Sequence, residues 1–317
     1  MPDDFDPKQL KVGHLRAQML SIAHEIKILG ANSHFCYGLL THYTNLAGLI
    51  GIVESGGFWL SDIRYLNDAE EYEHGRKLSC ELIDRLAQRL RYQPFSDVLE
   101  IARGIIMAPV QEPSFVACFS TEPDSLEQWR AYASGDDGVA LVFENKPAVN
   151  NPFMAEPRMH SSQAIYDDKK KKRVILSTLS RHSIEYKKEL LTGNTGGTLE
   201  PNIWARSLAA VLSNAFVTFK HRAFTTESEV RVITQLSQIA RVNGKIQHRI
   251  RRGRIVPFVN SSIFFGDTGA NRLLPLREVI VGPIAAQSVT IESVRTFLGN
   301  LGYPDVPVRP SSIPYRG

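Results

Sequence analysis

Between Gly138 and Glu144 five apolar residues, Val139-Ala140-Leu141-Val142-Phe143, follow one another without a polar interruption. A half-buried strand alternates apolar with polar residues, so an unbroken run this short predicts a strand covered on both faces. A chain containing it must build layers on either side of a sheet. The residues before it supply the neighbours. Ser114 to Ser120, ending in Cys118-Phe119-Ser120, predicts a second strand. Ser125 is placed to cap a helix with Leu126, Trp129, Tyr132 and Ala133 along one side, and Gly135-Asp136-Asp137-Gly138 forms a turn. Polar and aromatic groups concentrate in this strand, helix, strand block beside backbone expected to be buried.

The elements around it follow from periodicity and punctuation. Leu10, Leu15, Met19, Ile22, Ile26 and Leu29 give an amphipathic helix over 8–29, ended by Gly30 and Asn32. Residues 1–33 are therefore expected to be a helical extension, and 34–317 one α+β domain. Phe35 to Tyr43 predicts a strand, Asn45 caps a helix over Leu46 to Glu54, and Ser55-Gly56-Gly57 ends it. Phe58 to Ser61 predicts the next strand. Helices are expected over Glu70 to Arg91, 97–108, Asp167 to Leu191 and Pro201 to Lys220, and a loop over 145–163. Val230 to Ile233 predicts a strand. Asn243-Gly244 suits a type I′ turn, so 229–240 and 246–259 are expected to pair as a hairpin. Glu278 to Val281, Ser288 to Leu301 and Val306 to Arg309 complete the chain as strand, helix and strand. Hairpins mixed with helices predict α+β rather than strict βαβ alternation.

Composition excludes little but bounds the class. An apolar fraction of 43% over 317 residues allows a sizeable core, and a net charge of +4 permits an anionic partner without demanding one. Cys36, Cys80 and Cys118 are three, far apart, and make no zinc spacing with histidine, which predicts reduced thiols, a cytoplasmic setting and no metal. No run of ~18 apolar residues is present, so no membrane span is expected.

Three clusters carry candidate chemistry. His42 stands at a strand end with Tyr43 and Thr44, where a neutral imidazole can hold a ribose hydroxyl or act as a base. The same residue types also suit a histidine bonded to backbone. Glu227-x-Glu229-x-Arg231 alternates at a strand start, which forms either a catalytic group or an exposed ion-pair ladder, and the pattern alone favours the ladder. Ser120, Trp129 and Tyr132 can line a pocket, with packing as the plain alternative. No nucleophile elbow, Gly-x-Gly-x-x-Gly or Walker loop is present. Basic runs at Lys169 to Arg173 and at Arg249, Arg251, Arg252 and Arg254 can meet phosphates or simply face water.

Taken in order, His42-Tyr43-Thr44, Leu60-Ser61, Asn67-Asp68 with Glu71, Cys118-Phe119-Ser120 with Trp129, Tyr132, Ala133 and Gly138, Lys220 with Glu227, Glu229 and Arg231, and Val279 to Gly282 resemble the bacterial domain-of-unknown-function family 2971 from about residue 36 to 310. The loop departs from that pattern, reading Asn67-Asp68-Ala69-Glu70-Glu71 where a proline is common. More remotely, the opening strands look like those of ADP-ribosyltransferase-like folds, which include DNA-modifying toxins and RNA 2′-phosphotransferases. That resemblance implies a central mixed or antiparallel sheet in a split arrangement with surrounding helices. It implies NAD as cofactor, His42 holding the nicotinamide ribose and Tyr65 or Tyr132 stacking on nicotinamide. The late carboxylate would be Glu229 or Glu227, the former nearer the strand proper. Tyr43, Thr44, Ser61, Ser120, Trp129 and Arg231 would complete the cofactor site. Nicotinamide would leave through an oxocarbenium-like state before an acceptor, nucleic acid or protein, attacks. The resulting expectation is an NAD-using transferase or glycohydrolase, of the kind used as toxin or phage-defence effector. The rival expectations are a non-catalytic nucleotide- or nucleic-acid-binding module and an RNA-directed nuclease or phosphotransferase. A homodimer through the first helix stays open.

Overall fold

The computed structural model describes residues 38–66, 69–109, 113–132, 137–146, 153, 159–191, 200–251, 253–265 and 273–314. The expected helix over 8–29 and the boundary at residue 33 lie outside them, as do Cys36, Asn67-Asp68, Arg252, the turn residues 133–136 and the side chain of Tyr132. The described residues form two compact units, each with its own core.

One unit carries all the strands of a ten-stranded sheet. Its elements are β1 (Gly38–Asn45), α1 (Leu46–Ser55), β2 (Trp59–Asp62), β3 (Ser114–Ser120), α4 (Leu126–Tyr132), β4 (Gly138–Asn145), β5 (Met159–Gln163), β6 (Glu229–Gln235), α7 (Leu236–Arg241), β7 (Gln247–Arg251), β8 (Arg254–Asn260), β9 (Leu276–Val281), α8 (Gln287–Asn300) and β10 (Val308–Pro310). The strand order is β10-β9-β4-β1-β3-β2-β8-β7, with β6 on β3 and β5 on β6. Only β10 with β9 is parallel, so the sheet is mixed and the unit is α+β.

The sheet forks at β3. A strand has two edges. β6 occupies one edge of β3 along its whole length, from Ser114↔Gln235 to Ser120↔Glu229. The other edge is divided. β1 takes it at Thr41↔Ser120, and β2 takes it at Ser61↔Val116 and Asp62↔Phe115. Between these contacts β1 and β2 part company. The apolar run in β4 explains why β1 stays where it is. β4 pairs with β1 over all eight residues and with β9 on its far side, and Val139, Leu141 and Phe143 are fully buried. Phe58, Phe119, Phe143 and Phe153 pack there with ring centroids 4.9–6.2 Å apart, edge to face except for the tilted pair Phe58 and Phe153.

The sequence-based elements largely hold, with local exceptions. Asn45 caps α1, its Oδ1 accepting from Gly48 N at 2.9 Å, and Gly56 ends the helix in the left-handed region. The hairpin expected at Asn243-Gly244 does not form. β6 runs instead into α7, and Asn243 takes a positive φ after that helix while Gly244 N bonds back to Ile239 O. Asn-Gly serves a helix C-terminus as readily as a type I′ turn. The real hairpin is β7–β8, closed at Arg251↔Arg254 with Gly253 at φ +72°. β5, inside the expected loop, is a strand because it pairs with β6 from Met159↔Thr234 to Gln163↔Val230.

The second unit is helical: α2 (Ala69–Ala87), α3 (Ser96–Met107), α5 (Asp168–Leu191) and α6 (Pro201–Phe216). The helix expected to reach Lys220 stops at Phe216, and Ile165 and Phe219 form a parallel bridge beyond it. Trp204, Phe95 and Phe216 are fully buried in its core. Gly75 lets α2 approach closely, since a Cβ there would stand 2.8 Å from the Phe216 ring. His182 is buried with Nδ1 donating to Thr178 O at 2.9 Å. No helix among the described residues is long and apolar enough to cross a membrane.

Candidate functional site

The fork in the sheet exposes a carbonyl that a continuous ladder would occupy. His42 Nδ1 lies 2.8 Å from Cys118 O. A carbonyl only accepts, so Nδ1 carries the proton and Nε2 the lone pair. The imidazole stays neutral. Its pKa is lowered from 6.5 to about 4, first by desolvation and also by the positive charges of Arg249 and Arg251, against the opposing effect of the Cys118 bond.

Register then separates the residues that the sequence grouped. Thr41, Ser120 and Glu229 stand directly opposite one another across β1, β3 and β6, and directly opposed residues share a face. His42, the next residue on β1, projects the other way, its ring 5.4 Å from that of Phe119. The Glu229 face is filled. Glu229 Oε1 accepts from Arg231 Nε at 3.0 Å and Oε2 from Nη2 at 3.2 Å, both residues being at most 4% exposed. The exposed ladder expected here is thus a buried ion pair. Glu227 lies ahead of β6, and its carbonyl, not its carboxylate, accepts from Ser120 Oγ at 2.7 Å and Gln128 Nε2 at 3.2 Å.

Trp129 and Tyr43 are anchors of a small core with Ala140, Val142 and Ile280. Their rings meet edge to face at 4.9 Å. Trp129 Nε1 donates to Asp124, and Tyr43 Oη donates to Glu122 O while accepting from Ser125 N, so both polar tips are committed. Thr44 is half-buried and Tyr65 exposed.

The polar feature on the other arm of the fork joins Arg249, expected to meet phosphates, with Ser61, expected in the cofactor site, and adds Trp59 and Phe258, which residue patterns did not single out. Arg249 on β7 reaches across β8 to β2, where Nη2 donates to Ser61 Oγ at 2.8 Å. Its guanidinium carbon lies 5.0 Å from the Trp59 ring and 5.5 Å from the Phe258 ring. Those rings are themselves 5.1 Å apart. The register accounts for this. Ser61 opposes Phe258, Trp59 is two residues along from Ser61, and Arg249 opposes Val256, two residues along from Phe258. All four side chains therefore share a face. The nearest carboxylate in sequence to Ser61 is spoken for, because Asp62 is held by Arg64 at 2.6 Å. Arg249 consequently has no ion-pair partner among the described residues, and its Nε is buried without a hydrogen bond. Desolvation, with help from Arg251, pushes its pKa down to about 10. A guanidinium so placed is short of an anion. Among the described residues no group of three His, Cys, Asp or Glu is placed to hold a metal ion.

Residues 128–232 match the family described as a protein of unknown function (DUF2971). The match covers about a third of the chain, from α4 through β6, including Trp129, Glu229 and Arg231 but neither His42 nor Arg249. Among curated proteins and among solved structures, none matches the chain. The matched segment thus takes in β4, β5 and the start of β6 from the sheet unit together with α5 and α6 of the helical unit, and the fork and the Arg249 platform stand on geometry alone.

Proposed function

We propose that this protein binds a phosphate-bearing nucleotide at the Arg249 platform, with NAD the first candidate. The observation that carries this reading is the guanidinium of Arg249, stacked on Trp59 and Phe258, bonded to Ser61 and lacking a carboxylate. Arginine in this setting offers a planar fork to a phosphate and a stacked cationic face to a base. The positive charges of Arg249 and Arg251 help keep His42 neutral, with a lone pair on Nε2, while register sets His42 on the opposite face of the sheet from Ser61 and Arg249. NAD enters through the resemblance of the opening strands to ADP-ribosyltransferase-like folds.

ADP-ribosyl transfer is the finer reading within this proposal. In it the bond between nicotinamide and C1 of the ribose breaks, nicotinamide leaves with the electron pair, and an acceptor oxygen or nitrogen bonds C1 while losing its proton. That proton passes to solvent water. Glu229 gives the transfer no support, because its carboxylate is neutralised by Arg231 inside the protein.

Calorimetric titration with NAD, ADP-ribose and inorganic phosphate tests the binding. Binding of NAD or ADP-ribose that disappears in Arg249→Ala is the expected result, and no binding by wild-type protein overturns the proposal. Release of nicotinamide from bound NAD, alone or with cell extract, separates transfer from simple binding.

A further inference from the structure

From Val230 to Gly266 the sequence contains no Asp or Glu, yet it holds Arg231, Arg241, Lys245, Arg249, Arg251, Arg252 and Arg254. Arg231 is neutralised by Glu229 from the residue just before this stretch. The other described basic residues of the stretch cluster on α7, the following turn and the β7–β8 hairpin. Neither Lys245, Arg251 nor Arg254 has an ion-pair partner among the described residues, and Lys245 and Arg254 are exposed.

The register orders this surface. Arg251 opposes Arg254, and Ile250 opposes Ile255. Opposed residues share a face and neighbours alternate, so the ribbon has an arginine face and an isoleucine face. Two like charges set directly opposite one another disfavour the hairpin on their own. Ile250 is 82% exposed and Ile255 67% exposed, the largest exposures of any described isoleucines. β7 is the last strand of the sheet, so its outer edge is unpaired among the described residues.

Arginines on an edge strand keep it from pairing with other chains. That role accounts for the charge but not for two isoleucines bared beside it, which work against it. A narrow ribbon with unpaired cations on one face and an apolar pair on the other suits a nucleic acid. Cations neutralise phosphates and release counterions, while apolar side chains press on or between bases. Two isoleucines form too small an apolar face to hold a membrane surface by themselves.

We propose that the β7–β8 hairpin is a nucleic-acid-binding arm, with Arg251 and Arg254 on phosphates and Ile250 and Ile255 against the bases. Arg249 of the platform lies on the same strand as Arg251, but Arg251, Arg254, Ile250 and Ile255 touch neither Ser61, Trp59 nor Phe258, so variants at the two sets of residues separate the assignments.

The test is fluorescence anisotropy of the full chain with a labelled single-stranded RNA and with its duplex, over a series of salt concentrations. The expected result is binding to at least one form, with log affinity falling linearly against log salt. Arg251→Gln and Arg254→Gln each reduce that slope by about 1. Ile250→Ser with Ile255→Ser weakens binding several-fold at an unchanged slope. Absence of RNA binding overturns the proposal, as does a slope that neither arginine variant changes. Binding to phosphatidylcholine vesicles containing phosphatidylserine, but not to RNA, assigns the arm to a membrane and overturns it too. So does a dimer that dissociates in the isoleucine variant while RNA is ignored. Should an arginine variant fail to fold, ultraviolet crosslinking of wild-type protein to RNA decides, since crosslinks outside residues 245–257 refute the arm.

Discussion

Glu229 and Arg231 neutralise each other inside the sheet unit, with Arg231 Nε 3.0 Å from Glu229 Oε1 and neither side chain more than 3% exposed. Removing one partner leaves the other charge buried without this ion pair. Glu229→Ala is expected to lower stability by about 3–5 kcal/mol. Replacing the pair together, Glu229→Leu with Arg231→Met, is expected to recover most of that loss. Urea denaturation of the three variants checks both statements, and a single variant as stable as wild type contradicts them.

Arg249→Lys keeps the charge but loses the planar fork and the stack on Trp59 and Phe258. It is expected to weaken nucleotide binding about as much as Arg249→Ala, by 10-fold or more, taking each charge-assisted hydrogen bond as roughly 1.5–3 kcal/mol. Titration of the two variants side by side reads this directly. Full binding in the lysine variant would show that charge alone suffices.

Gly51→Ala reaches the same platform from below. A Cβ on Gly51 of α1 collides with the Trp59 ring, so the ring or the helix must shift. The variant is expected to lose roughly 1–3 kcal/mol of stability by overpacking and to weaken nucleotide binding as Trp59 shifts under Arg249. Thermal melting and titration together separate the two effects.

Asp124 ties the C-terminal segment to the sheet unit. It accepts from Trp129 Nε1 at 2.8 Å, Ser311 Oγ at 2.6 Å, Ser312 N at 2.7 Å and Ser312 Oγ at 2.8 Å. Burial works to raise its carboxyl pKa, but these bonds outweigh burial and hold it below 3.8. The stabilisation is therefore present above the unfolded value and is lost as pH falls through the folded one. Asp124→Ala is expected to speed hydrogen exchange at residues 311–314 and to cost about 1–3 kcal/mol.

His42 and His182 give stability the opposite chemistry but the same direction with pH. Both have pKa values lowered from 6.5 to about 4, chiefly by desolvation. Between those values the unfolded chain binds more protons, so stability is full above about pH 6.5, declines as pH falls toward 4, and levels off below. Buried His182 contributes at most about 3 kcal/mol to this slope, and half-buried His42 less. His182→Gln is expected to flatten the profile, measured by denaturation across pH 4 to 7.

Local signals foretold most of the sheet's parts. The apolar run in β4, the Ser114 to Ser120 strand and the Asn45 and Gly56 ends of α1 are each decided by residues within a few positions of one another. What escaped depends on partners far away in sequence. Met159 to Gln163 lacks an apolar rhythm and is a strand only because β6 lies beside it. Asn243-Gly244 admits two structures, and α7 selects the one without a hairpin. Ser61 and Arg249 are 188 residues apart, so no local pattern announces their contact. His42 and Glu229 looked like partners in a list of residue types, but two-residue periodicity and a single bridge, Thr41↔Ser120, turn them to different faces.

β1 and β2 hold β3 at separate places along one edge, and α1 and a shared apolar core also join them, so the split sheet is braced across its fork. A sheet laddered without interruption resists bending along its hydrogen-bonding direction, since spreading two paired strands tears bonds. Where the ladder parts between β1 and β2, that resistance falls instead to the rings packed at the fork, His42 against Phe119 and Phe58 against Phe119 and Phe143.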